Sequence, residues 1–356
     1  MSWDPNLPFE ALPPLPPPGD VETPSVLKAT VEARAALARF DALAMALPNP
    51  AILIESLPLL EAQASSEIEA IVTTADELFR ASAFAEAATP EAREALRYRT
   101  ALWAAFNTLQ DGQPITNSLV AHICGVIRGH EVSIRRSGGI YIGNPITGAR
   151  SYTPPDDPRP HMASLMEFLN ARTSLDPLVS MALAHYQFEA IHPFTDGNGR
   201  TGRILNILIL SKAGLLQQPL LYLSRHIIRT KDEYYQRLRD VTANAAWESW
   251  ICYLLRGVVA VSGEMDGLLS ALRKVEDQVT GVVTVRTGRA DARLIDLLME
   301  RPYVRVRDVV ARCDVTRQTA SRWLNAVAAD GGVLKQLSVG RNVLYLNRPL
   351  IEAFTS

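Results

Sequence analysis

The chain has 356 residues, of which 47% are hydrophobic, and a mean hydropathy of +0.03. This length and composition predict a globular protein of two or three domains. The formal net charge of −2 indicates no particular partner. The sequence has neither a run of about eighteen apolar residues nor a basic, apolar leader, which excludes a membrane-spanning or secretory segment. We therefore expect a cytoplasmic protein without membrane contact, and the isolated cysteines Cys124, Cys252 and Cys313 suit a reducing compartment.

The first 90 residues are predicted to form an N-terminal helical region (1–90). Residues 5–24 are rich in proline, which favours an extended arm on the protein surface over a ligand for an adaptor domain. An alanine-rich pattern predicts a helix over about 25–45, and a second apolar pattern predicts one helix over about 51–79. Further helices are predicted over about 91–109, 118–129, 160–171 and 177–191.

The residues over about 132–155 do not follow the helical pattern of the segments on either side. Short β-prone pieces lie around Gly143-Asn144-Pro145 and Thr147-Gly148, and they predict a hairpin in an otherwise helical protein. A hairpin at this place either covers an edge of the core or stands over a binding site. The residues alone leave both interpretations open.

The run Ile191–Arg203, with the sequence IHPFTDGNGRTGR, carries the strongest functional signal in the chain. It holds an imidazole, a carboxylate, an amide, three glycines and two guanidinium groups. Helical patterns precede and follow it, and the second of them is apolar almost all round. The run is therefore predicted to be a loop between two helices, the first of which is stopped by Pro193.

The composition of this loop is typical of a site that binds phosphates. Gly197 and Gly199 allow the backbone to approach a ligand closely. The N–H groups that open the next helix then point outward at the positive end of the helix dipole. Arg200 and Arg203, about one helical turn apart, add positive charge on the same side.

The run resembles the signature of the Fic family, His-Pro-Phe-x-Asp/Glu-Gly-Asn-Gly-Arg-x-x-Arg, and matches it at every defined position over 192–203. The resemblance implies a mainly α-helical Fic (Fido) catalytic core over 91–262, with the hairpin at about 132–155 as a flap over the active site. It also implies an activity, the transfer of AMP from ATP to a Tyr, Thr or Ser hydroxyl. The acceptor would be a target protein docked along the flap, or the chain itself.

The resemblance assigns a role to most residues of the signature. His192 would be the general base that takes the proton from the target hydroxyl. Asp196 would hold the Mg²⁺ that accompanies ATP. Arg203 would clamp the γ-phosphate, and Arg200 would neutralise charge on the leaving pyrophosphate. The α-phosphate region would be cradled by the backbone of Gly197, Asn198 and Gly199, with Asn198 fixing it.

The segment Ala64–Ile71 resembles a regulatory motif of the same family, Ser/Thr-x-x-x-Glu-Gly/Asn on an N-terminal helix. Ser65 and Glu69 match its first and fifth positions, whereas Ala70 replaces the usual Gly or Asn. Without the resemblance, Glu69 would be interpreted as a solvated charge on an exposed helix face. With it, Glu69 is expected to inhibit by pairing with Arg203 and blocking the seat of the γ-phosphate. Because alanine suits a helix, we expect Ala70 to leave the reach of the glutamate intact.

A further predicted helix carries the adjacent Tyr234 and Tyr235. Neighbouring side chains point about 100° apart on a helix, so one tyrosine can pack in the core while the other lines a pocket. The resemblance places the adenine and ribose side of the nucleotide site here and implies Tyr235 and Asn244 as nucleotide contacts. Core packing is the competing interpretation for both. Trp247 and Trp250 are interpreted as core anchors.

A linking helix is predicted over 263–286, followed over 287–356 by a winged helix-turn-helix domain. Its third helix would be capped by Thr316, and a hairpin would turn at Gly340-Arg341-Asn342. Residues 289–348 hold eleven Lys or Arg and six Asp or Glu, a net charge of +5, whereas the rest of the chain carries −7. Such a domain serves equally to bind DNA, to dock a target protein or to form a homodimer.

Other functions are also compatible with these residues. Glu69 could position a water molecule, in which case the reaction would be the removal of AMP from a modified protein. A different nucleotide or a different phosphoryl group could use the same loop. In another class altogether, the chain would be a DNA-binding regulator whose Fic module is silent or autoregulatory.

Overall fold

The computed structural model describes residues 3–110, 112–143, 147–329, 332–339 and 342–355. Over these residues the protein is mainly helical with two small antiparallel sheets, as the sequence predicts. In this part of the chain no helix is long and apolar enough to cross a membrane. The helices up to and including the linking helix are α1 (Pro24–Met45), α2 (Ala51–Ile68), α3 (Ala75–Ala83), α4 (Pro90–Gln110), α5 (Asn117–Arg128), α6 (Pro158–Asn170), α7 (Pro177–Ile191), α8 (Asn198–Lys212), α9 (Ser224–Arg229), α10 (Lys231–Asn244), α11 (Trp247–Gly263) and α12 (Met265–Thr287).

Helices α7 and α8 form the centre of the molecule, and both are buried on nearly every face. A helix without a solvated face needs apolar side chains all round, which is the pattern that the sequence shows here. Helix α7 packs against α6, α8 and α11, while α8 also packs against α4 and α5. Trp247 and Trp250 of α11 are buried, as predicted, and the Trp250 indole donates to the Ala182 carbonyl of α7 at 2.8 Å. The signature loop is thus carried by the most buried helices of the fold.

The prediction of one helix over about 51–79 is wrong, because the structure has two helices there, α2 and α3. Helix α2 ends at Ile68, Glu69 is its C-cap, and Ala70 takes a left-handed φ of 63°. The expectation that alanine suits this position because it favours helices is therefore wrong as well. A left-handed residue ends a helix, and glycine or asparagine adopts this conformation at lower cost.

Replacing Ala70 with glycine is expected to stabilise the fold. A left-handed alanine costs roughly 1–2 kcal/mol, and the greater freedom of glycine in the unfolded chain offsets roughly 0.4–1 kcal/mol of the gain. We expect a net increase of about 0.5–1 kcal/mol in the free energy of unfolding, measured as a higher urea midpoint at unchanged slope. Ala46→Gly, at the C-cap of α1 with φ −79°, is the matched control and should lose stability. An Ala70→Gly variant that is less stable than the parent would contradict the assigned strain.

The predicted hairpin consists of two short antiparallel strands, β1 (Ile142–Gly143) and β2 (Arg150–Tyr152). Asn144, part of the predicted Gly-Asn-Pro turn, lies with its two following residues outside the described residues. The proline-rich arm runs extended over the surface beside β2, in agreement with its interpretation from the sequence. We call the hairpin the flap and residues 3–22 the arm.

The C-terminal part folds into helices and a three-stranded antiparallel sheet of order β3-β5-β4. The Thr316 hydroxyl caps α15 by accepting from the Thr319 N–H at 3.2 Å. Helices followed by a hairpin are the predicted order of elements, although the final helix was not predicted, and Gly340-Arg341 of the predicted turn lies outside the described residues. The elements are α13 (Ala292–Glu300), β3 (Tyr303–Val304), α14 (Val306–Cys313), α15 (Arg317–Ala328), β4 (Leu334–Val339), β5 (Asn342–Asn347) and α16 (Arg348–Thr355).

This C-terminal part packs against α2 and α3 instead of extending away from the helical core. The Tyr303 hydroxyl donates to the Asp76 carboxylate at 2.6 Å, at the start of α3. The rings of Phe79 and Phe354 lie 6.1 Å apart, and both side chains are buried. The C-terminal part therefore contacts the helix that directly follows the Glu69 segment.

Candidate active site

The signature run forms the loop between α7 and α8, as predicted. His192 caps the C-terminus of α7 in a left-handed conformation (φ 47°), and Gly197 opens α8 with φ 85°. Phe194 is buried and anchors the loop. The Asn198 side chain closes it: its carbonyl accepts from the Phe194 N–H at 2.9 Å, and its amide donates to the Phe194 carbonyl at 2.8 Å. Both ends of this amide are thus used inside the loop, and the expected contact of Asn198 with a phosphate stays a prediction.

The N-terminus of α8 presents backbone N–H groups that suit an anion, and we call it the anion site. The first hydrogen bond of the helix runs from the Thr201 N–H to the Gly197 carbonyl at 3.0 Å. The N–H groups of Asn198, Gly199 and Arg200 precede it, so they have no acceptor within the helix. Among the described residues no side chain caps this end. Free N–H groups and the helix dipole together favour a bound anion.

One acidic and one basic residue that sequence reasoning missed pair with the signature loop from α4 and α5. Arg200 is 1% exposed, and its guanidinium lies 2.5 Å from the Glu94 carboxylate of α4. Arg128 of α5 forms an ion pair with Asp196. Glu94 and Arg128 lie about 70–100 residues before the signature, and nothing in their local sequence signals the contact.

Asp196 is the one residue of the signature that suits a cation. Its side chain is 54% exposed, and one of its oxygens accepts from the Gly197 N–H at 2.6 Å. Within the described residues no group of three His, Cys, Asp or Glu side chains forms a metal site. Mg²⁺ commonly takes only one or two protein carboxylates together with substrate phosphates and water. A single exposed carboxylate beside an anion site fits that mode of binding.

Arg203 binds the end of α2. Its Nη2 donates to Glu69 Oε1 at 2.8 Å and to the Ser65 carbonyl at 2.9 Å, while its Nε donates to the Ser65 hydroxyl at 2.8 Å. Burial alone would raise the pKa of Glu69, but the Arg203 guanidinium outweighs it and holds the pKa below its ordinary value. Ser65 and Glu69, which lie on one face of α2, thus occupy the Nε and Nη2 donors of Arg203.

The Glu69 carboxylate lies over the anion site as well as against Arg203. A Cβ built on Gly199 would come within 2.2 Å of Glu69 Oε1 and 2.9 Å of Arg203 Nη1. Only a glycine at this position leaves room for the carboxylate at the start of α8. Glu69 therefore stands where an anion bound by α8 and Arg203 would be placed.

Glu61, which sequence reasoning missed, fixes the same face of α2 further from the loop. Its carboxylate is buried and accepts from the Tyr98 hydroxyl at 2.9 Å, from the Ser224 N–H at 3.0 Å and from the Ser224 hydroxyl. Burial raises the pKa of Glu61. The spacing Glu61, Ser65, Glu69 puts all three on one side of the helix, and this four-residue repeat is a signal that the sequence does contain.

His192 is held by its backbone and by one ring nitrogen. The Arg135 guanidinium donates to the His192 carbonyl at 3.0 Å and to the Ile191 carbonyl at 3.1 Å. Nδ1 of His192 lies 3.3 Å from the Glu189 carbonyl, which favours the tautomer with the proton on Nδ1. Burial lowers the pKa of His192 to about 4. Near neutral pH the imidazole is therefore uncharged, with Nε2 available to accept a proton.

Glu189 adds a second carboxyl group near Arg203. Burial raises the pKa of Glu189 to about 7, against the influence of Arg203. Its Oε1 is buried and makes no hydrogen bond to the described residues. A Cβ on Gly202 would approach this oxygen to 2.7 Å, so α8 packs closely on it. Sequence reasoning missed Glu189, although it precedes His192 by a single helical turn.

A cavity opens between the flap, α7 and α10, next to Glu189. Tyr235 lines it, whereas Tyr234 is buried and its hydroxyl lies 2.9 Å from His185 Nε2, so the two tyrosines divide as predicted. Asn244 does not line this cavity, because it is exposed at the far end of α10, about 13 Å of helix rise from Tyr235. The implied contact of Asn244 with the nucleotide therefore stays a prediction of the sequence. The mainly apolar lining is formed by Ile142, Tyr152, Tyr186, Tyr235, Leu238 and Thr242.

Three segments match known families. Residues 27–107 match the N-terminal domain of the Fic/DOC family, and residues 114–210 match the Fic/DOC family itself. Residues 291–350 match the C-terminal domain of SoFic-like protein adenylyltransferases. Together the matches cover about two thirds of the chain. The chain belongs to the Fic/DOC family.

Curated relatives are similar over part of the chain. Protein adenylyltransferase fic-1 from Caenorhabditis briggsae is 35% identical over 107 residues, which are 29% of this chain and 18% of that protein. Protein adenylyltransferase Fic from Nematostella vectensis is 30% identical over 153 residues, which are 41% of this chain and 32% of that protein. The chain thus spans less than a third of the length of these relatives.

Solved structures share the fold. A Fic family protein from Desulfovibrio desulfuricans G20 superposes with a TM-score of 0.60 at 22% identity, over 95% of this chain and 98% of that chain. A fragment of Fic-1 from C. elegans superposes with a TM-score of 0.55 at 19% identity, over 71% of this chain and 79% of that chain. At these identities the likeness establishes the fold alone.

Proposed function

We propose that the chain transfers AMP from ATP to a Tyr, Thr or Ser hydroxyl of a target protein or of itself. The observation that carries the proposal is the neutral His192 imidazole beside the anion site of α8, with Arg203 on one side. Glu189 connects this centre to the cavity of Tyr235, since its carbonyl contacts His192 and its side chain lines the cavity. The relatives named protein adenylyltransferase support the same reaction class.

In this reaction the target hydroxyl gives its proton to Nε2 of His192 as its oxygen attacks the α-phosphorus of ATP. The bond from the α-phosphorus to the oxygen that bridges to the β-phosphate breaks, and pyrophosphate leaves. A base that is neutral in the resting protein can take this proton without first losing one. The Nδ1 contact with the Glu189 carbonyl orients the ring and stabilises the imidazolium that forms.

The phosphates would bind where the structure concentrates positive charge. The N–H groups at the start of α8 would receive the α-phosphate, and Arg203 would receive the γ-phosphate. Arg200 is buried in its pair with Glu94, so its charge supports the loop from below and acts on the pyrophosphate at a distance. A Mg²⁺ ion held by Asp196 and the phosphates would supply further positive charge for the leaving group.

The nucleoside would occupy the cavity between the flap and α10. Its aromatic and aliphatic lining suits a purine ring, and Tyr235 offers a hydroxyl group for the ribose or the base. Tyr235 keeps the role implied by the resemblance, and Thr242 lines the same cavity, whereas Asn244 does not. Placed in this way, the nucleotide runs from α10 to α8 with its α-phosphate beside His192.

Labelled ATP separates AMP transfer from its alternatives. Incubation with ATP labelled at the α-phosphate is expected to label protein, whereas label at the γ-phosphate is expected to appear only in free pyrophosphate. Protein labelled from the γ-phosphate would mean phosphoryl transfer instead. Release of AMP from protein that was modified beforehand, without any new labelling, would mean that the chain removes AMP. An absence of all three reactions in an activated variant would favour the regulator whose Fic module is silent.

We further propose that the C-terminal part binds duplex DNA. A groove of about 690 Å³ lies between α14, α15 and the β4–β5 hairpin, and its lining includes Arg305, Arg307 and Arg317 but no carboxylate among the described residues. Asp308 of α14 lies 3.8 Å from both Arg305 and Arg307. Amide and hydroxyl groups of the same groove can hydrogen-bond to phosphates or bases. These observations favour a polyanionic partner over an apolar one. A homodimer stays a prediction of the sequence.

Replacing Arg317 with alanine is expected to weaken binding to a random-sequence DNA duplex several-fold. If its guanidinium contacts one phosphate, the slope of log affinity against log salt should fall by about 1. Fluorescence anisotropy at a series of salt concentrations measures both quantities. Arg348→Ala is the control, since Arg348 is exposed on α16 and pairs with Glu352. Equal binding by the parent and both variants, or none by any of them, would argue for a protein partner at this groove.

A further inference from the structure

The backbone carbonyl groups at the end of α2, just before Glu69, need hydrogen-bond donors from outside the regular helix, because no further turn follows them. The chain that leaves the helix provides two of these donors. The Ala70 N–H donates to the Glu67 carbonyl and the Ile71 N–H donates to the Ser66 carbonyl, both at 3.0 Å. Together with the left-handed conformation of Ala70, these two bonds form a Schellman motif.

Side chains from two other helices bind the carbonyls that this motif leaves over. The Ser65 carbonyl accepts from the Arg203 guanidinium of α8 at 2.9 Å. The Ile68 carbonyl, directly before Glu69, accepts from the Lys231 ammonium group of α10 at 2.7 Å. The end of α2 is therefore held by one cation from α8 and by another from α10.

Lys231 occupies a position that does not favour a cation within its own helix. It is the first residue of α10, where the helix dipole favours negative charge, and the acidic Asp232 and Glu233 follow it. At the C-terminus of a helix, in contrast, the dipole favours a positive charge. Lys231 meets that condition only through its contact with the end of α2. The placement therefore indicates that this side chain stabilises α2 and not α10.

The contact with Ile68 is the main interaction of the Lys231 side chain. Among the described residues no carboxylate forms an ion pair with Lys231, and the neighbouring Glu233 pairs with Arg237 and Arg256 instead. The bond to the carbonyl is partly buried. Because a hydrogen bond from a charged donor is stronger than one between neutral groups, this bond is expected to hold the end of α2 firmly.

The contact lies at the border of the proposed nucleotide site. Tyr235, which lines the nucleoside cavity, follows Lys231 by four residues and therefore lies on the same side of α10. On the other helix, Glu69 follows Ile68 directly and lies over the anion site. The Glu69 segment is thus fixed twice, by Arg203 at the carboxylate and by Lys231 at the backbone that precedes it.

We propose that Lys231 is a positioning residue, which keeps the Glu69 carboxylate over the anion site by holding the backbone of Ile68. Without Lys231, the last turn of α2 keeps only its bonds to Arg203, for which the phosphates of ATP compete. Lys231 then acts on the reaction through Glu69 and not through the substrate. The inference rests on the proposed function for its effect on AMP transfer, but not for its effect on α2 itself.

Replacing Lys231 with methionine, which removes the charge but keeps an unbranched apolar side chain, is expected to raise AMP transfer by the parent chain at least about threefold. In a Glu69→Gly background the same replacement should change the rate by less than about 1.5-fold, because no carboxylate is left to position. Lys231→Arg keeps a donor for the carbonyl and should stay close to the parent. Lys274→Met, on the exposed face of α12, is the control for the loss of one positive charge. Initial rates with ATP labelled at the α-phosphate measure all of these effects.

Two results of this experiment would overturn the proposal. A clear loss of transfer on replacing Lys231 in the Glu69→Gly background would make Lys231 a direct contact of the substrate. An unchanged rate for Lys231→Met in the parent chain, while Glu69→Gly itself activates, would mean that the contact does not position Glu69.

Hydrogen exchange measures the contact without any reaction. In the absence of ATP, the fragment covering residues 66–72 is expected to exchange at least about threefold faster in Lys231→Met than in the parent, since the Ala70 and Ile71 N–H groups are protected by the closed end of α2. In Lys274→Met the fragment should exchange as in the parent. Unchanged exchange in Lys231→Met would overturn the proposal. Faster exchange in that variant, with no AMP transfer by any chain, would mean that the proposed function fails while the positioning contact stands.

Discussion

Replacing His192 with alanine in a Glu69→Gly background is expected to reduce AMP transfer by at least about a hundredfold, within the range usual for loss of a general base. The affinity for ATP should change by less than about twofold, equivalent to about 0.4 kcal/mol. The reason is that the imidazole is proposed to take the proton of the target hydroxyl, whereas α8 and Arg203 are proposed to bind the phosphates. Initial rates with labelled ATP and equilibrium binding of a fluorescent ATP analogue measure the two quantities separately.

Thr195→Ala is the matched control for this experiment. Thr195 is exposed in the same loop and stands at a position that the signature leaves undefined, so its loss should leave the rate within about twofold. The pH profile is a second check on the assigned base. Burial lowers the pKa of His192 to about 4, so transfer should stay constant from pH 8 down to about 5 and fall as the pH approaches 4. A His192→Ala variant with full activity, or an acid limb centred near 6.5, would contradict the assignment.

Replacing Glu69 with glycine is expected to raise AMP transfer at least about tenfold, which corresponds to about 1.4 kcal/mol. Glu69 occupies both the Arg203 guanidinium and the space above Gly199, where the phosphates would bind. Removal of Glu69 frees both the Arg203 guanidinium and the space above Gly199. ATP can then place its α-phosphate in line with the incoming hydroxyl. Labelling at saturating ATP and Mg²⁺ measures the gain.

Two controls separate release of the site from general loosening of α2. Glu67→Gly makes the same substitution two residues earlier, at a carboxylate with no ion pair to the described residues, and should not activate. Arg203→Ala removes the partner of Glu69 but also the proposed phosphate clamp, so it should not activate either. A Glu69→Gly variant no faster than the parent would mean that the contact does not restrain the reaction.

The Glu69 contact is not expected to act as a pH switch near neutrality. Its pKa is lowered in the folded protein, so the stabilisation from the ion pair is present above the ordinary carboxyl pKa of about 4.5 and is lost only as the pH falls below that value. Between pH 6 and 9 the carboxylate stays charged and Arg203 stays protonated. Relief of the contact therefore requires movement of α2 or competition from phosphates.

Much of the fold could be predicted from the sequence because its helices carry local signals. Helix α7 begins at Pro177 and ends before His192, as the proline and the apolar pattern predict. The anion site was predictable too, since glycines, arginines and a helix start all lie within one short run. The resemblance to the Fic family supplied what chemistry alone could not, namely the pairing of Glu69 with Arg203 across more than a hundred residues.

The rest could not be predicted for two physical reasons. A local signal can be masked by a stronger one, as at Thr74, whose capping box with Glu77 starts α3 inside an apolar pattern that seemed continuous. Other contacts have no local signal at all. Glu94 and Arg128 become partners of the signature only when α4 and α5 pack against α8, and Asn198 closes the loop because of how the chain turns at Phe194.

The packing of the C-terminal part on α3 has a consequence for how this protein can vary in evolution and in the laboratory. Family boundaries along the sequence separate residues 27–107 from residues 291–350, yet in space the two segments share one interface through Tyr303, which Phe354, just beyond the second segment, extends. A change in either segment alters the environment of the other. Substitutions on the C-terminal side of this interface are therefore expected to act on the helix next to Glu69, even though nearly two hundred residues lie between the two segments.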